Sequence, residues 1–364
     1  MKDLEQNDYI KIIASLLAIV LIILVLKVVK VNFIKPKHDS KNFSTEENII
    51  TNKSGDVSVA IAGNLLLSSK LQTTYNSSGL SGVISDDLQK KISSSDIAIM
   101  NQTFSSVDNT AGEYHVSSTA LSILNDMGFN MVSLSNNYFR QFGAENAINS
   151  IYMLKNHNIK TAGAGTNQIN AAAPAVYTYN NKSVGLMSVT ITDTNDTSDG
   201  FAINSNGHVR EQMGIYGESD IDRICDKIYD AKNNCDFLIV NVNWNTSGAA
   251  PSKESKSAAK SFIKSGADMI TGCSNSFEGI EYYKGCPILY GTGNFLHTAP
   301  QSKTAVVKLN ISRKNKVSIK LIPCISDAYY IREMTSTEKK AFYSDVTGLS
   351  KNIKITKKGE VQPS

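Results

Sequence analysis

The feature that most constrains this chain is a repeated unit, in which a short run of β-branched and aliphatic residues stops at a small polar loop and a helical pattern follows. The first run, DVSVAIA at 56–62, is stopped by Gly63 as a buried strand running into a site loop should be. Residues 118–127 read as a helix closed by Gly128, and 129–134 as a strand. The loop SNNYFRQFG then leads into a helix on which Ala144, Ala147, Ile148, Ile151 and Leu154 recur at the spacing of one buried face. Downstream, Ser219 can cap a helix carrying Ile221, Ile224, Cys225, Ile228 and Tyr229, followed by the strand DFLIVNV at 236–242. A helix around 258–264 ends at Gly266, and the strands DMIT and CPILYG flank the loop GCSNSFEG. Beyond them, TAVVKLNI and KVSIKLIP alternate apolar and polar residues, which predicts antiparallel strands with one solvated face. The pattern predicts an α/β sandwich of two sheets with helices on the outer faces.

In α/β folds the loops at the carboxyl ends of strands converge on a crevice. Five loops here fit that description: Gly63-Asn64, Asn101-Gln102-Thr103, residues 135–143, residues 243–248 and residues 272–276. A crevice built from them would be lined by Asn64, Asn101, Thr103, Asn136, Asn137, Tyr138, Gln141, Asn243, Trp244, Cys273, Ser274, Ser276 and Asn294. That lining is rich in amides and hydroxyls, which suits a polymer of peptide or sugar polarity. The alternative is that these groups only satisfy one another.

Ahead of the α/β region lies an uninterrupted apolar run, IIASLLAIVLIILVL at 12–26, flanked by Tyr9 and Ile10 and by residues 28–31, which approaches the length needed to span a bilayer. Lys27, Lys30, Lys35 and Lys37 follow it where a cleaved signal peptide would want small residues, so the run reads as an uncleaved anchor. The expected organisation is a short cytoplasmic segment at 1–8, a transmembrane anchor at 9–31, a polar spacer at 32–55, the main domain at 56–327 and a C-terminal extension at 328–364. About 310 residues remain after the spacer, enough for a substantial core. The first 37 residues hold six Lys against Asp3, Glu5 and Asp8, so most of the formal net charge of +4 belongs to them. The rest of the chain is close to neutral, which argues against a nucleic-acid partner. Taken alone, two Lys before the run and four after it would put the domain in the cytoplasm, although long domains cross regardless of flanking charge. The five Cys residues lack CxxC spacing, and neither a zinc ribbon nor a disulfide framework is indicated. Gly163-Ala164-Gly165 lacks the rest of a dinucleotide fingerprint, and no phosphate-cradling or nucleophile-elbow motif occurs.

The opening strand with Gly63, the segment LNDMGFNMVSLSNN, the GAG turn at 163–165, the strand with Trp244, SGAD at 265–268, IEYYKG at 280–285 and the close Tyr290…Gly293-Asn294-Phe295 follow one another along residues 56–300. In that order and spacing they resemble the CapA-type poly-γ-glutamate capsule synthesis proteins. The resemblance implies a calcineurin-like metallophosphatase fold, an α/β/β/α sandwich preceded here by one transmembrane helix, with the domain outside the cell. It also implies one or two metal ions held by Asp, Glu, His and Asn at strand ends. Those ligands are replaced in this chain. The family's Gly-Asp is Gly63-Asn64, its Asn-Leu-Glu is Asn101-Gln102-Thr103, and its Asn-Asn-His with a following Asp is Asn136-Asn137-Tyr138 with Gln141. His-Trp-Gly with a later Glu becomes Asn243-Trp244-Asn245 with Ser247, and Gly-His-His-Pro-His becomes Gly272-Cys273-Ser274-Asn275-Ser276. Neutral amides and hydroxyls are weak donors that leave a divalent charge uncompensated. His38, His115, His157, His208 and His297 all fall outside the five loops.

The reading expects no metal, no cofactor and no catalytic residue. It describes a single-pass cell-membrane protein whose extracellular domain is a binding or scaffold component in synthesis or attachment of a capsule polymer, with that polymer or other capsule-synthesis proteins as partners. The alternative is a metal-dependent hydrolase or transferase of the same pathway with an altered site.

Overall fold

The computed structural model describes residues 55–106, 115–140, 143–192, 213–244, 251–297, 301–327 and 329–364. The expected anchor and all of the spacer but Gly55 lie outside them, as do Gln141, Asn245, Ser247, His38 and His208. Among the described residues no helix is long and apolar enough to cross a membrane.

The chain first lays down four parallel strands, β1 (Val57–Leu65), β2 (Ile97–Gln102), β3 (Met131–Ser133) and β4 (Lys160–Ala162). Helices α1 (Ser69–Ser78) and α2 (Asp86–Ser93) link β1 to β2, and α3 (Ser122–Met127) precedes β3. Between β3 and β4 come α4 (Asn137–Arg140) and α5 (Gly143–Asn156). After α6 (Gln168–Ala172), the hairpin β5 (Ala175–Tyr179) and β6 (Lys182–Ile191) opens a second sheet. That sheet grows through β7 (Gly217–Glu218), α7 (Ile221–Lys232), β8 (Phe237–Asn243), α8 (Lys253–Lys264), β9 (Met269–Cys273), β10 (Ile280–Tyr283) and β11 (Cys286–Leu289). The chain then returns to the first sheet with β12 (Asn294–Leu296), β13 (Ser302–Ile311), β14 (Val317–Asp327) and β15 (Tyr330–Glu333). It finishes with α9 (Ser336–Leu349), β16 (Ile353–Ile355) and β17 (Glu360–Pro363).

The first sheet runs β16-β17-β14-β13-β1-β2-β3-β4, with β12 beside β1 and β15 beside β14; the second runs β7-β6-β8-β9-β11-β10, with β5 beside β6. Three apolar clusters separate four layers. Leu71, Leu88, Ile92, Leu124 and Leu154 pack helices against the outer face of the first sheet. Val59, Ile61, Ile97, Leu186, Ile239 and Met269 fill the space between the sheets. Ile224, Ile228, Ala259 and Phe262 seal the outer face of the second. The α/β/β/α order follows from this, because each strand in the middle of a sheet must hide both faces.

Three local expectations are corrected. Asp220, not Ser219, caps α7, its carboxylate accepting from the Asp222 amide. Tyr229, expected on the buried face of that helix, is exposed, while Ile224 and Ile228 are buried. Strands β13 and β14 do not keep one solvated face along their length. Val306, Ile322 and Cys324 point into the helix-covered core, and Ala305, Val307 and Leu321 into the inter-sheet core. Their polar ends, such as Lys316, Ser318 and Lys320, made the alternation look continuous. The segment after residue 328 contributes to the same architecture, with β17 paired to β14 and Phe342, Val346 and Val361 in the inter-sheet cluster.

Candidate functional site

Along the inter-sheet face, strand after strand changes from apolar to small and polar towards its carboxyl end. Side chains on one face of a strand recur every second residue. In β2 the series is Ile97, Ile99, Asn101, and in β3 it is Met131, Ser133 and then Ser135 just past the strand. In the second sheet it runs Val184, Leu186, Ser188, Thr190; then Phe237, Ile239, Asn241, Asn243; then Met269, Thr271, Cys273. The apolar members belong to the inter-sheet cluster. The polar members meet across the gap and bond one another. Ser133 Oγ lies 2.7 Å from Ser188 Oγ and donates to Asn241 Oδ1 at 3.0 Å, and Asn241 Nδ2 donates to Thr271 Oγ1 at 3.0 Å. Ser135 Oγ donates to the Tyr216 carbonyl at 2.6 Å and lies 3.0 Å from Thr190 Oγ1, which also accepts from Asn243 Nδ2 at 3.4 Å.

The centre of this seam is Asn64. A register shift between Ile61 and Asn64 in β1 turns its side chain to the gap, and Gly63 permits the turn because the Gly293 carbonyl passes where a Cβ would sit. The Asn64 amide is fully used: Nδ2 donates to the Ser274 carbonyl at 3.0 Å and to Asn294 Oδ1 at 2.9 Å. Its Oδ1 accepts from Asn101 Nδ2 at 3.3 Å and from the Cys273 thiol at 3.1 Å. An amide offers two donors and two acceptor lone pairs, so nothing on Asn64 is left over. Asn64, Asn101, Cys273 and Asn294 are all buried.

The other expected residues surround this cluster less tightly. Thr103 Oγ1 turns back to the Leu65 carbonyl at 2.9 Å. Asn136 braces the second and third loops, donating to the Gln102 carbonyl at 2.8 Å and accepting from the Phe139 amide at 2.9 Å. Trp244 is buried and donates from Nε1 to the Tyr290 carbonyl at 2.9 Å, which makes it a support of the fourth and fifth loops. Asn137 is exposed at the start of α4, and Ser276 is exposed in the fifth loop, where its carbonyl accepts from Ser274 Oγ at 2.6 Å. Tyr138 lies in α4 with its side chain outside the described residues, as Gln141 is entirely.

Sequence reasoning passed over Ser133, Ser135, Ser188, Thr190, Asn241 and Thr271. Their signal was a pair of small polar residues two apart at the end of an apolar strand. It also passed over Glu278, a buried acid just after the fifth loop. Burial pushes the Glu278 carboxyl up to about 7, with the Ser274 hydroxyl holding it back slightly. Beside this loop opens a cavity of about 240 Å³ lined in part by Ser276, Phe277, Lys303, Phe342, Val346 and Leu349.

The cluster does not fit the divalent transition metals that the family resemblance implies. Its oxygens come from neutral amides, and the Asn64 oxygen already accepts two hydrogen bonds. Burial pushes the Cys273 thiol up to about 12, whereas a metal ligand must be a thiolate. Among the described residues no three His, Cys, Asp or Glu side chains lie together so as to hold a metal ion.

Comparison with known proteins adds an independent line. The model of the family described as "Bacterial capsule synthesis protein PGA_cap" matches residues 58–299. A probable polyglutamine synthesis accessory protein of Mycobacterium tuberculosis is 21% identical over 242 residues, 61% of this chain and 62% of that protein. The capsule biosynthesis protein CapA of Bacillus anthracis is 24% identical over 207 residues, 54% of this chain and 48% of that one. The chain therefore spans between about half and three fifths of the length of these curated relatives. Among solved structures, a hypothetical protein from Thermus thermophilus covers 76% of this chain and 100% of its own, with a TM-score of 0.46 and 13% identity, a likeness too loose to carry an argument.

Proposed function

The chain belongs to the bacterial capsule synthesis protein family PGA_cap, and from that membership we propose that it serves synthesis or attachment of an envelope polymer of poly-γ-glutamate type as a binding or scaffold component. The mixed α/β arrangement fits the metallophosphatase-like fold of CapA proteins. A non-catalytic role is carried by one observation: the amide of Asn64, where the family resemblance implies a carboxylate, spends all four of its hydrogen-bonding positions on its neighbours. A centre closed in this way offers no open coordination position, which metal-assisted hydrolysis requires. The ligand surface is then the rim, where Asn137 and Ser276 are exposed. The apolar run at 12–26 supports single-pass anchoring, and membership in a capsule synthesis family, rather than the charges flanking the run, supports a domain outside the cell.

Elemental analysis of the purified full chain, together with titration of poly-γ-glutamate into it, tests the reading. The expected result is polymer binding with no stoichiometric Mn, Fe or Zn. One equivalent of metal, removed by chelator together with a phosphatase or polymer-cleaving activity, would establish the second reading, an enzyme of the same pathway with an altered site. One observation favours that reading, the buried carboxyl of Glu278 beside the fifth loop.

A further inference from the structure

The cavity beside the fifth loop is built by two parts of the chain that stand differently towards the family. Phe277 and the loop residues before it lie within residues 58–299, which the family model matches, whereas Phe342, Asp345, Val346 and Leu349 belong to α9, beyond that match. The two walls are held together firmly. A Cβ on Gly279 would lie 2.1 Å from the Leu349 carbonyl oxygen, so only glycine lets the end of α9 come this close. The Ile280 amide donates to Ser350 Oγ at 2.8 Å and the Lys351 amide to the Ile280 carbonyl at 3.0 Å, which ties the chain after the helix to β10.

The floor of the cavity is apolar and its mouth is charged. Phe277 and Phe342 meet edge to face with ring centres 5.4 Å apart, and with Val346 they are buried members of the inter-sheet cluster. Leu349, by contrast, is 46% exposed. Beside it stand Lys303 on β13 and Asp345 on α9, whose side chains are 62% and 61% exposed and pair at 3.7 Å. That separation exceeds the roughly 2.7–2.9 Å of a charge-assisted hydrogen bond. So exposed an ion pair contributes little, and a ligand can part it at small cost. The acidic side is reinforced by the helix itself, because the cavity runs along the last two turns of α9, where the carbonyl ends carry partial negative charge and no basic residue stands in the last turn. Two opposite charges above an apolar floor fit a zwitterion, with its ammonium towards Asp345 and its carboxylate towards Lys303. The volume of about 240 Å³ equals that of about eight waters at about 30 Å³ each, and lies below the roughly 300–1,000 Å³ of sites for drug-sized ligands. One unit of a polymer enters such a space, and a longer stretch does not.

We propose that this cavity holds the amino-terminal unit of a γ-linked glutamyl chain, an inference that rests on the polymer-binding reading above. In such a chain only the first unit carries an ammonium and a carboxylate on the same carbon. Every internal unit keeps the carboxylate but has its nitrogen in an amide, and the last unit has two carboxylates and no amine. Asp345 therefore distinguishes the first unit from all others, while Lys303 takes the carboxylate that every unit has. The methylenes of the bound unit lie over Phe277 and Phe342. Ser276 belongs both to the exposed rim and to the cavity wall, so a polymer held along the rim reaches the mouth through it.

Titration calorimetry on the full chain tests this with trimers of γ-linked glutamate, in D and L forms, whose amino ends are free or acetylated, and with free glutamate. A free-ended trimer of at least one hand should bind, and acetylation should weaken it about tenfold or more, the loss of one charge-assisted contact. Asp345→Asn should weaken the free-ended trimer to the same degree and leave the acetylated one unchanged, whereas Lys303→Gln should weaken both. Both side chains are exposed, so neither substitution disturbs folding. Equal binding of free and acetylated trimers, no binding of either hand, or a free-ended trimer that Asp345→Asn does not weaken overturns the proposal. Free glutamate bound as tightly as the trimer also overturns it, because the cavity would then be a site for a free amino acid. Long poly-γ-glutamate with acetylated ends separates this proposal from the reading it rests on. If that polymer binds while the trimers show no preference for a free end, the end site falls and polymer binding stands; if neither polymer nor trimer binds, both fall.

Discussion

Replacing Asn64 probes the amide cluster most directly. In Asn64→Ala the Ser274 carbonyl, Asn294 Oδ1, Asn101 Nδ2 and the Cys273 thiol each lose a partner in a buried space. A net hydrogen bond contributes about 1 kcal/mol, and a buried group left without one costs about 1–3 kcal/mol. Asn294 can rotate its own amide and water can enter the gap, so the expected loss is about 2–4 kcal/mol rather than the full sum. Asn64→Asp keeps the shape and removes both N–H donors. The ionised carboxylate then faces the fixed Ser274 carbonyl at about hydrogen-bond distance. Burial raises its folded pKa above the unfolded value, so its stability is full below that unfolded value and is lost as pH rises through the folded one. For a rise of roughly two units the extra loss is about 2–3 kcal/mol between about pH 4 and pH 8. Urea melts of wild type and both variants at those two pH values measure this, each variant referred to wild type so that other titrating groups cancel. A cost below about 1 kcal/mol for both variants at the higher pH would refute the closed cluster. So would a rise in wild-type melting temperature with added Mn²⁺ that vanishes in Asn64→Ala, since that would reveal a cation site.

Glu278→Gln should leave stability unchanged below about pH 4.5 and raise it by up to about 3 kcal/mol at about pH 8. The sign follows from a folded carboxyl at about 7 against an ordinary value of 4.5: the native state loses stability as pH climbs through 7, and glutamine cannot ionise. Removing residues 336–364 should prevent folding rather than trim a tail, because Phe342, Val346 and Val361 would leave the inter-sheet core uncovered beside Phe277. Three large apolar side chains account for about 5 kcal/mol or more; a truncated chain with a native near-ultraviolet circular dichroism spectrum would contradict this. Deleting residues 1–31 should release the protein from membranes, and protease added to wall-stripped cells should digest the domain of the full chain. Protection of that domain until lysis would place it in the cytoplasm instead.

The alternation of strand, polar loop and helix was enough to predict two sheets with helices outside, because apolar faces of period two and period three to four can be hidden in few ways. The collinear motifs pointed to the family, and the amides and hydroxyls of the five loops were legible in the sequence. Tertiary structure decided who bonds whom. Asn64 and Asn294 are separated by 230 residues, and Ser133 and Asn241 by 108, so no local pattern could pair them. The same holds for Glu278, which reads as one more acid in a loop until the fold packs it against Gly291 and buries it. It also holds for β13 and β14, whose alternating ends promised a solvated face that the helices and the second sheet then covered. Hydrogen bonding and desolvation act over a few ångströms in space, whereas a sequence orders residues only along the chain. The chain could therefore announce its layers and its neutral loops, but the satisfied centre and the buried acid arose only when the strand ends met.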